Sequence, residues 1–261
     1  MKCLVFHLVL ANLLATFSSS NAQIIDVNFN GGGSKRYSSW SNLTSGNYSG
    51  YGSFPGNSPW PTPIIATAGS TNGRLNRVAG SPTGGGPFLS SSSIYFGNFA
   101  QVPNALGGTL QISNIAPLSD LRTLVFQIQI GEATGFDFFT PTGFPTLSIN
   151  GGSNSVSLFT NLVTRFQSGT FPSPETGKDE PVYVNTWAFQ WNLTNPLTVN
   201  SYAVNFSAVT HAQVYALRTD ETSVLQPTAV VVPEPSIAHL LTLTLGSWLL
   251  WSFVRRKIWT R

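Results

Sequence analysis

Apolar side chains recur at every second position through much of residues 94–218, and this period limits the fold more than any other feature. In segment 124–130, LVFQIQI, Leu124, Phe126, Ile128 and Ile130 alternate with residues that include two glutamines. Successive side chains of a strand point to opposite faces, so the pattern predicts a strand with one buried face. Segments 187–191 and 202–206 alternate similarly, and residues 23–228 show no sustained 3.6-residue apolar period. We therefore expect an all-β fold.

Short apolar runs and turn residues divide the rest of this region. Weaker strand candidates lie at 94–99, 109–112, 146–149, 156–159 and 213–217. The Asn150-Gly151 pair between two of these candidates predicts a hairpin turn. Many short strands without helices favour an antiparallel β-sandwich or jelly roll. No period of 20–50 residues recurs, which argues against a solenoid or a propeller.

Residues 23–93 differ in composition from residues 94–228. They are rich in Gly, Ser, Asn and Pro, which favour turns over regular helices. A disordered linker is the alternative, but it is disfavoured by five aromatic residues, Trp40, Tyr48, Tyr51, Phe54 and Trp60. We expect long ordered loops with one or two strands over 23–93 and the core of the β-sandwich over 94–228.

The first 22 residues have the organisation of a secretory signal peptide. Lys2 gives a positive start, a short apolar run follows over 4–15, and Ser20-Asn21-Ala22 is a small-x-small cleavage site. The run is too short to span a bilayer, which takes about 20 residues. The sequence predicts cleavage between Ala22 and Gln23, with a retained anchor as the alternative. Export follows from either.

Residues 229–261 form a second terminal signal. Pro233-Glu234-Pro235 precedes an apolar segment, 237–254, and the basic cluster Arg255-Arg256-Lys257. Eighteen helical residues would extend about 27 Å, close to the hydrocarbon thickness of a membrane. The basic end should stay cytoplasmic and leave the bulk of the chain outside. The sequence therefore predicts one C-terminal transmembrane helix over 237–254.

This order of Pro-Glu-Pro, apolar helix and basic end resembles the PEP-CTERM sorting signal, over residues 229–261 only. The resemblance implies that an exosortase, a membrane-embedded cysteine protease, recognises Pro233, Glu234 and Pro235. It also implies an inner-membrane intermediate and then a location at the cell surface, in the outer envelope or outside the cell. An ordinary stop-transfer helix is the alternative.

Charge excludes one class of partner for the segment between the signal peptide and the Pro-Glu-Pro motif, residues 23–232, here called the passenger. It holds eight Lys and Arg residues against nine Asp and Glu residues, a net charge of −1. No basic face is left for nucleic acid. The chain's one cysteine, Cys3, lies in the signal peptide, so the mature passenger cannot form disulfides.

The passenger contains few residues suited to catalysis or to metal binding. His211 is the one histidine of the passenger, and the passenger has no Gly-x-Ser-x-Gly motif. We therefore expect no catalytic residues and no enzyme activity. We expect no cofactor other than a calcium ion, for which Asp26, Asp220 and Glu221 are the candidate ligands. A pair of carboxylates acting as a glycoside hydrolase remains the enzymatic alternative.

Aromatic residues between 40 and 60 suggest a contact with sugars. Trp40, Tyr48, Tyr51 and Trp60 would form a flat platform for sugar rings, or else pack under the loops as core.

The sequence as a whole predicts a non-enzymatic, exosortase-sorted protein of the cell envelope or extracellular matrix, associated with exopolysaccharide. The alternative is a secreted polysaccharide-active enzyme.

Overall fold

The computed structural model describes residues 24, 26–52, 59–97, 105–132, 143–152, 154–156, 158–172, 176–194 and 198–230. Within them the regular structure consists of strands and one short 3₁₀ turn, Asn150–Gly152. The strands are β1 (Lys35–Trp40), β2 (Ile64–Ile65), β3 (Ala68–Gly69), β4 (Gly73–Ala79), β5 (Phe88–Leu89), β6 (Ile94–Tyr95), β7 (Leu106–Asn114), β8 (Thr123–Glu132), β9 (Thr146–Ile149), β10 (Asn154–Val156), β11 (Thr160–Pro172), β12 (Asp179–Asn192), β13 (Tyr202–Val209) and β14 (Gln213–Thr222).

These strands form two sheets, and every pairing between them is antiparallel. Sheet A has the order β11-β12-β8-β14-β1-β3, with β6 beside β14 and β5 beside β6. Sheet B has the order β10-β9-β13-β7-β4-β2. The prediction of an all-β antiparallel passenger is confirmed.

The alternation in the sequence produces one apolar core between the sheets. Phe126 on β8 and Phe206 on β13 belong to different sheets, and their ring centroids lie 5.3 Å apart. Both are buried, together with Leu110 and Ile112 on β7 and Ile128 on β8. We call the side of each sheet that faces this core its inner face and the opposite side its outer face.

The predicted hairpin at Asn150-Gly151 is confirmed. Strand β9 covers the predicted 146–149 and pairs with β10, with Ile149 opposite Asn154. Asn150 has φ +52° and Gly151 has φ +76°, a left-handed conformation that Asn and Gly adopt at the lowest cost.

The N-terminal part contributes more to the sheets than its composition suggested. Five of the described strands begin before residue 93, where one or two were expected. Strand β1 pairs with β14 in sheet A, and β4 pairs with β7 in sheet B. The sequence also gave no sign of β11, because TNLVTRFQSGTFP lacks a regular alternation.

A second, smaller apolar cluster lies on the outer face of sheet A. Val125 and Ala188 supply the sheet side, and Val27, Phe29 and Val230 cover them from the two ends of the described chain. The predicted helix 237–254 lies outside the described residues. Among those that are described, no helix has the length and apolar character needed to cross a membrane.

Candidate functional site

Trp40 does not belong to a sugar-binding surface. It lies at the end of β1, is fully buried in the core, and donates a hydrogen bond from Nε1 to the Ile64 carbonyl at 2.9 Å. A ring with no exposed face cannot stack on a sugar. Of the two interpretations of Trp40, core packing is therefore the one that the geometry supports.

Tyr48, Tyr51 and Trp60, the aromatic cluster, do lie together. Tyr51 contacts Tyr48 at 5.8 Å and Trp60 at 5.7 Å between ring centroids, with interplanar angles of 78° and 73°. These are edge-to-face contacts, so the three rings do not form the flat platform that the sequence suggested. All three are half-buried and pack against the main core.

Polar groups of the aromatic cluster are partly used within the protein. The Tyr51 hydroxyl lies 2.6 Å from Thr62 Oγ1. Burial, and then the proximity of Tyr51, raise the pKa of Tyr48 above its ordinary value. The Trp60 Nε1 donor has no hydrogen-bond partner among the described residues. Among the described residues, the cluster therefore has one N–H donor without a partner. Its three rings do not share an open face on which a sugar could stack.

The three candidate calcium ligands do not converge. Asp220 and Glu221 are neighbours on β14, so their side chains project to opposite faces of sheet A. Asp26 and Asp220 both contact Arg218, at 2.6 and 2.7 Å. Nowhere in the described part of the chain do three His, Cys, Asp or Glu side chains gather as a metal site would require.

Glu221 is buried on the inner face of sheet A. Its Oε1 accepts hydrogen bonds from Asn114 Nδ2 at 2.7 Å and from the Tyr202 hydroxyl at 3.1 Å, and its Oε2 accepts one from the Leu118 N–H at 2.9 Å. Burial raises the pKa of Glu221, and the three donors oppose this shift. The carboxylate therefore joins the two sheets and holds the loop after β7.

His211 lies in the turn between β13 and β14 with φ +72°. Its Nδ1 is hydrogen-bonded to the Tyr95 hydroxyl, and its N–H donates to the Phe96 carbonyl at 2.7 Å. Burial lowers the pKa of His211. These contacts give His211 a structural place at the turn that joins the two strands.

Sequence reasoning missed the polar outer face of sheet B. On this face, polar side chains of neighbouring strands lie directly opposite one another. Asn76, Gln111 and Asn205 form one row across β4, β7 and β13, and Gln111 Nε2 donates to Asn205 Oδ1 at 2.9 Å. In the next row, Thr109 and Ser207 share a hydrogen bond of 2.8 Å. The six strands of sheet B, as described, contain no Asp or Glu. Strand pairings would have been needed to find this surface.

Sequence reasoning also missed how the two ends of the passenger meet on the outer face of sheet A. Gln226 binds both backbone groups of Asn30, accepting from its N–H at 3.0 Å and donating to its carbonyl at 2.9 Å. Gln190 on β12 accepts from the Val230 N–H at 2.9 Å and donates to the Gln226 carbonyl at 3.0 Å. Gln190 and Gln226 are almost fully buried. We call residues 26–30 and 224–230, with the side chains that hold them, the terminal clamp.

The predicted signal cleavage site, Ala22 and Gln23, and the sorting motif, Pro233, Glu234 and Pro235, lie outside the described residues. Comparisons with protein-family models, curated protein sequences and solved structures give no match to this chain.

Proposed function

We propose that the chain is an exported, non-enzymatic surface protein whose C-terminal tail is read by an exosortase-type membrane protease. The observation that carries this proposal is the order of Pro233-Glu234-Pro235, the apolar segment 237–254 and the basic end. The fold is compatible with this proposal, because Val230, three residues before the motif in the sequence, is still packed against the outer face of sheet A.

In this proposal the passenger is a β-sandwich of the jelly-roll type, and a C-terminal helix holds it in the inner membrane until sorting. The signal peptide is cut after Ala22, the basic end stays cytoplasmic, and the passenger is released to the cell surface or the extracellular matrix. Both prolines of the motif lack a backbone N–H and favour an extended chain, which suits a protease cleft.

Replacement of Pro233, Glu234 and Pro235 by Ala tests the sorting function in the native host. The helix should still insert, because its apolar residues and basic end are unchanged, so the variant should accumulate uncleaved in the inner membrane. Cell fractionation and mass spectrometry of the mature C-terminus measure this outcome. The control Pro227→Ala removes an exposed proline outside the motif and should be processed normally. An intact tail through Arg261 on the mature wild-type protein would disprove the proposal.

We further propose that the polar outer face of sheet B contacts exopolysaccharide. Amide and hydroxyl side chains can both donate and accept hydrogen bonds, as sugar hydroxyls do. The Gln111–Asn205 bond leaves Gln111 Oε1 and Asn205 Nδ2 for a ligand. The absence of carboxylates from the strands of this sheet avoids repulsion of acidic sugars. Both described chain ends lie on the outer face of the other sheet, which leaves this face accessible on a tethered protein.

A glycan array compares this surface with the aromatic cluster. Joint replacement of Gln111 and Asn205 by Ala should weaken polysaccharide binding, whereas Tyr51→Phe should not. If only Tyr51→Phe weakens binding, the aromatic cluster is the site.

A hydrolysis screen on the same glycans tests the enzymatic alternative, a carboxylate-based glycoside hydrolase, which would release reducing ends.

A further inference from the structure

Arg74 is the one charged residue on the outer face of sheet B within the strands that the structure describes. It pairs with Ser113 on β7, whereas its neighbour Leu75 is buried in the core. Successive side chains of a strand point to opposite faces, so Arg74 lies on the polar outer face. The other arginine of β4, Arg77, pairs with the core residue Leu110 and so belongs to the inner face.

The guanidinium of Arg74 forms no hydrogen bond or ion pair with any described residue. Other arginines of the passenger are used within the fold: Arg36 and Arg122 donate to backbone carbonyls, and Arg218 is paired with Asp220. Arg74 is half-exposed, so its five N–H donors face solvent in a planar fork. This fork matches the two oxygens of a carboxylate.

Arg74 stands at one end of a row of short side chains that crosses sheet B. Three residues follow it in register on β7, β13 and β9: Ser113, Ala203 and Ser148. Neighbouring strands lie about 4.8 Å apart, so this row extends for about 14 Å. The hydrogen-bonded amides of Gln111 and Asn205 lie in the next row of the same face. The surface thus offers hydroxyls, amides and one cation along a single line.

The charge around Arg74 favours an anion. The strands of sheet B, as described, contain no Asp or Glu that could compete for the guanidinium. Ile65 on β2 pairs with Arg74 and is 38% exposed, so apolar surface lies beside the cation. A guanidinium is also more weakly hydrated than an ammonium group, which lowers the cost of removing water when an anion binds.

We propose that the polysaccharide bound by sheet B is an acidic one, built with uronic acids, and that Arg74 selects it through a bidentate ion pair with a sugar carboxylate. This inference rests on the proposed contact between sheet B and exopolysaccharide, and it adds the chemical class of the sugar. With one carboxylate at Arg74, the following sugars lie over Ser113 and Ala203, beside the amides of Gln111 and Asn205. A neutral polysaccharide would leave the guanidinium without a partner.

Two forms of one polysaccharide test the selection of charge. Full-length protein purified in detergent is titrated with polygalacturonate and with its methyl ester, which has the same backbone without the charges. Arg74→Gln should weaken binding of polygalacturonate about ten-fold, because it removes charge-assisted hydrogen bonds, and should leave binding of the ester unchanged. The control, Lys178→Gln, removes the same charge from the exposed turn between β11 and β12 and should change neither affinity. The basic C-terminal end is common to all these proteins, so it cancels in the comparison.

The outcomes separate this inference from the proposed function. An equal loss of polygalacturonate binding in Lys178→Gln and Arg74→Gln would overturn the inference, because the effect would then be one of net charge. Equal affinities of the wild type for the acid and the ester would also overturn it. In both cases weaker binding after joint replacement of Gln111 and Asn205 would still support sheet B as the contact surface. Binding to neither polysaccharide, nor to any other glycan, would refute the proposed contact itself.

Chemical modification of arginine gives a second measurement that needs no substitution. Phenylglyoxal reacts with accessible guanidinium groups, and peptide mass spectrometry reads each site separately. In the wild-type full-length protein, polygalacturonate should slow the reaction of Arg74 several-fold, whereas the methyl ester should not. Arg165, which is exposed on β11 of sheet A, is the internal reference and should keep its rate. An unchanged rate at Arg74 under saturating polygalacturonate would overturn the inference even if Arg74→Gln failed to fold.

Discussion

Buried carboxylates on β14 join parts of the fold that are distant in sequence. Asp220 accepts hydrogen bonds from Arg218 and from Gln127 Nε2, the latter at 3.0 Å. Glu221 accepts hydrogen bonds from donors on sheet B and from the loop that follows β7. Burial raises the pKa of both carboxyls, and their hydrogen bonds oppose the shift. A net upward shift means that ionisation is harder in the folded state than in the unfolded one.

This shift gives the passenger a predictable dependence on pH. The folded state binds a proton at Glu221 more readily than the unfolded state, so this group's contribution to stability falls as pH rises from about 4.5 through the raised pKa. The lowered pKa of His211 acts oppositely, since its contribution is lost as pH falls through about 6.5. Urea unfolding midpoints between pH 4 and 8 should therefore fall less with rising pH in Glu221→Gln than in wild type.

His211→Asn is the matched control, because Asn also tolerates a positive φ. It should make the fall with rising pH larger. Identical pH profiles for wild type and both variants would contradict the assignment of these groups.

The sequence could have excluded a shared calcium site for Asp220 and Glu221, because strand neighbours point to opposite faces. It could not have supplied their partners. Asn114 and Tyr202 lie about a hundred and about twenty residues from Glu221 along the chain, and only the packing of two sheets brings both to the same oxygen.

The turn between β9 and β10 is an element whose sequence determines its conformation. Asn150 has a positive φ and also binds the segment before β13. Its Nδ2 donates to the Thr198 carbonyl at 2.9 Å, and its Oδ1 accepts from the Asn200 N–H at 2.8 Å. The side chain therefore couples the hairpin to the adjacent strand of sheet B.

Asn150→Ala should lower the free energy of unfolding by about 2–4 kcal/mol, from left-handed strain and from the lost hydrogen bonds. Asn150→Gly removes the same bonds but accepts the positive φ, so it should be less destabilising by about 1 kcal/mol. Chemical unfolding of the passenger measures both values. Equal effects of the two substitutions would show that backbone conformation contributes nothing at this turn.

Element prediction succeeded where one face of a strand is buried and failed where the pattern is irregular. Strands β8, β12 and β13 were found from alternation, and β9 with its turn from Asn150-Gly151. Strand β1 was missed because KRYSSW has only its last residue as a large core side chain, Trp40. Of the four aromatic residues predicted to form a platform, Tyr48, Tyr51 and Trp60 do contact one another, but Trp40 lies in the core. The position of Trp40 and the ring angles depend on packing that the sequence does not encode locally.

The whole molecule has two different outer faces. The outer face of sheet B is polar and half-exposed, whereas that of sheet A is covered by the two ends of the passenger. The buried glutamines Gln190 and Gln226 make this cover specific, because their amides match backbone groups of the terminal segments. Neither the composition nor the strand pattern indicated that the two ends of the passenger meet.

Gln190→Ala should destabilise the passenger by about 1–3 kcal/mol, because the buried Val230 N–H would lose its acceptor. Gln111→Ala, on the half-exposed face of sheet B, should change stability by no more than about 0.5 kcal/mol, since water can replace its contacts. Chemical unfolding of both variants measures the difference. If Gln190→Ala is as mild as the control, the terminal clamp contributes little to stability.

The terminal clamp also decides how the protein would respond to force. Load applied through the C-terminal tail arrives at Val230, and segment 224–230 crosses the face of β12 instead of pairing within a sheet. Its hydrogen bonds would therefore break one after another, as in peeling. Strand β14 lies between β8 and β1, so it would be loaded only after the segment has detached. Seven residues extend by up to about 24 Å. A tethered passenger would thus have a short extensible section that yields first and can re-form when the load is removed, while both sheets stay intact.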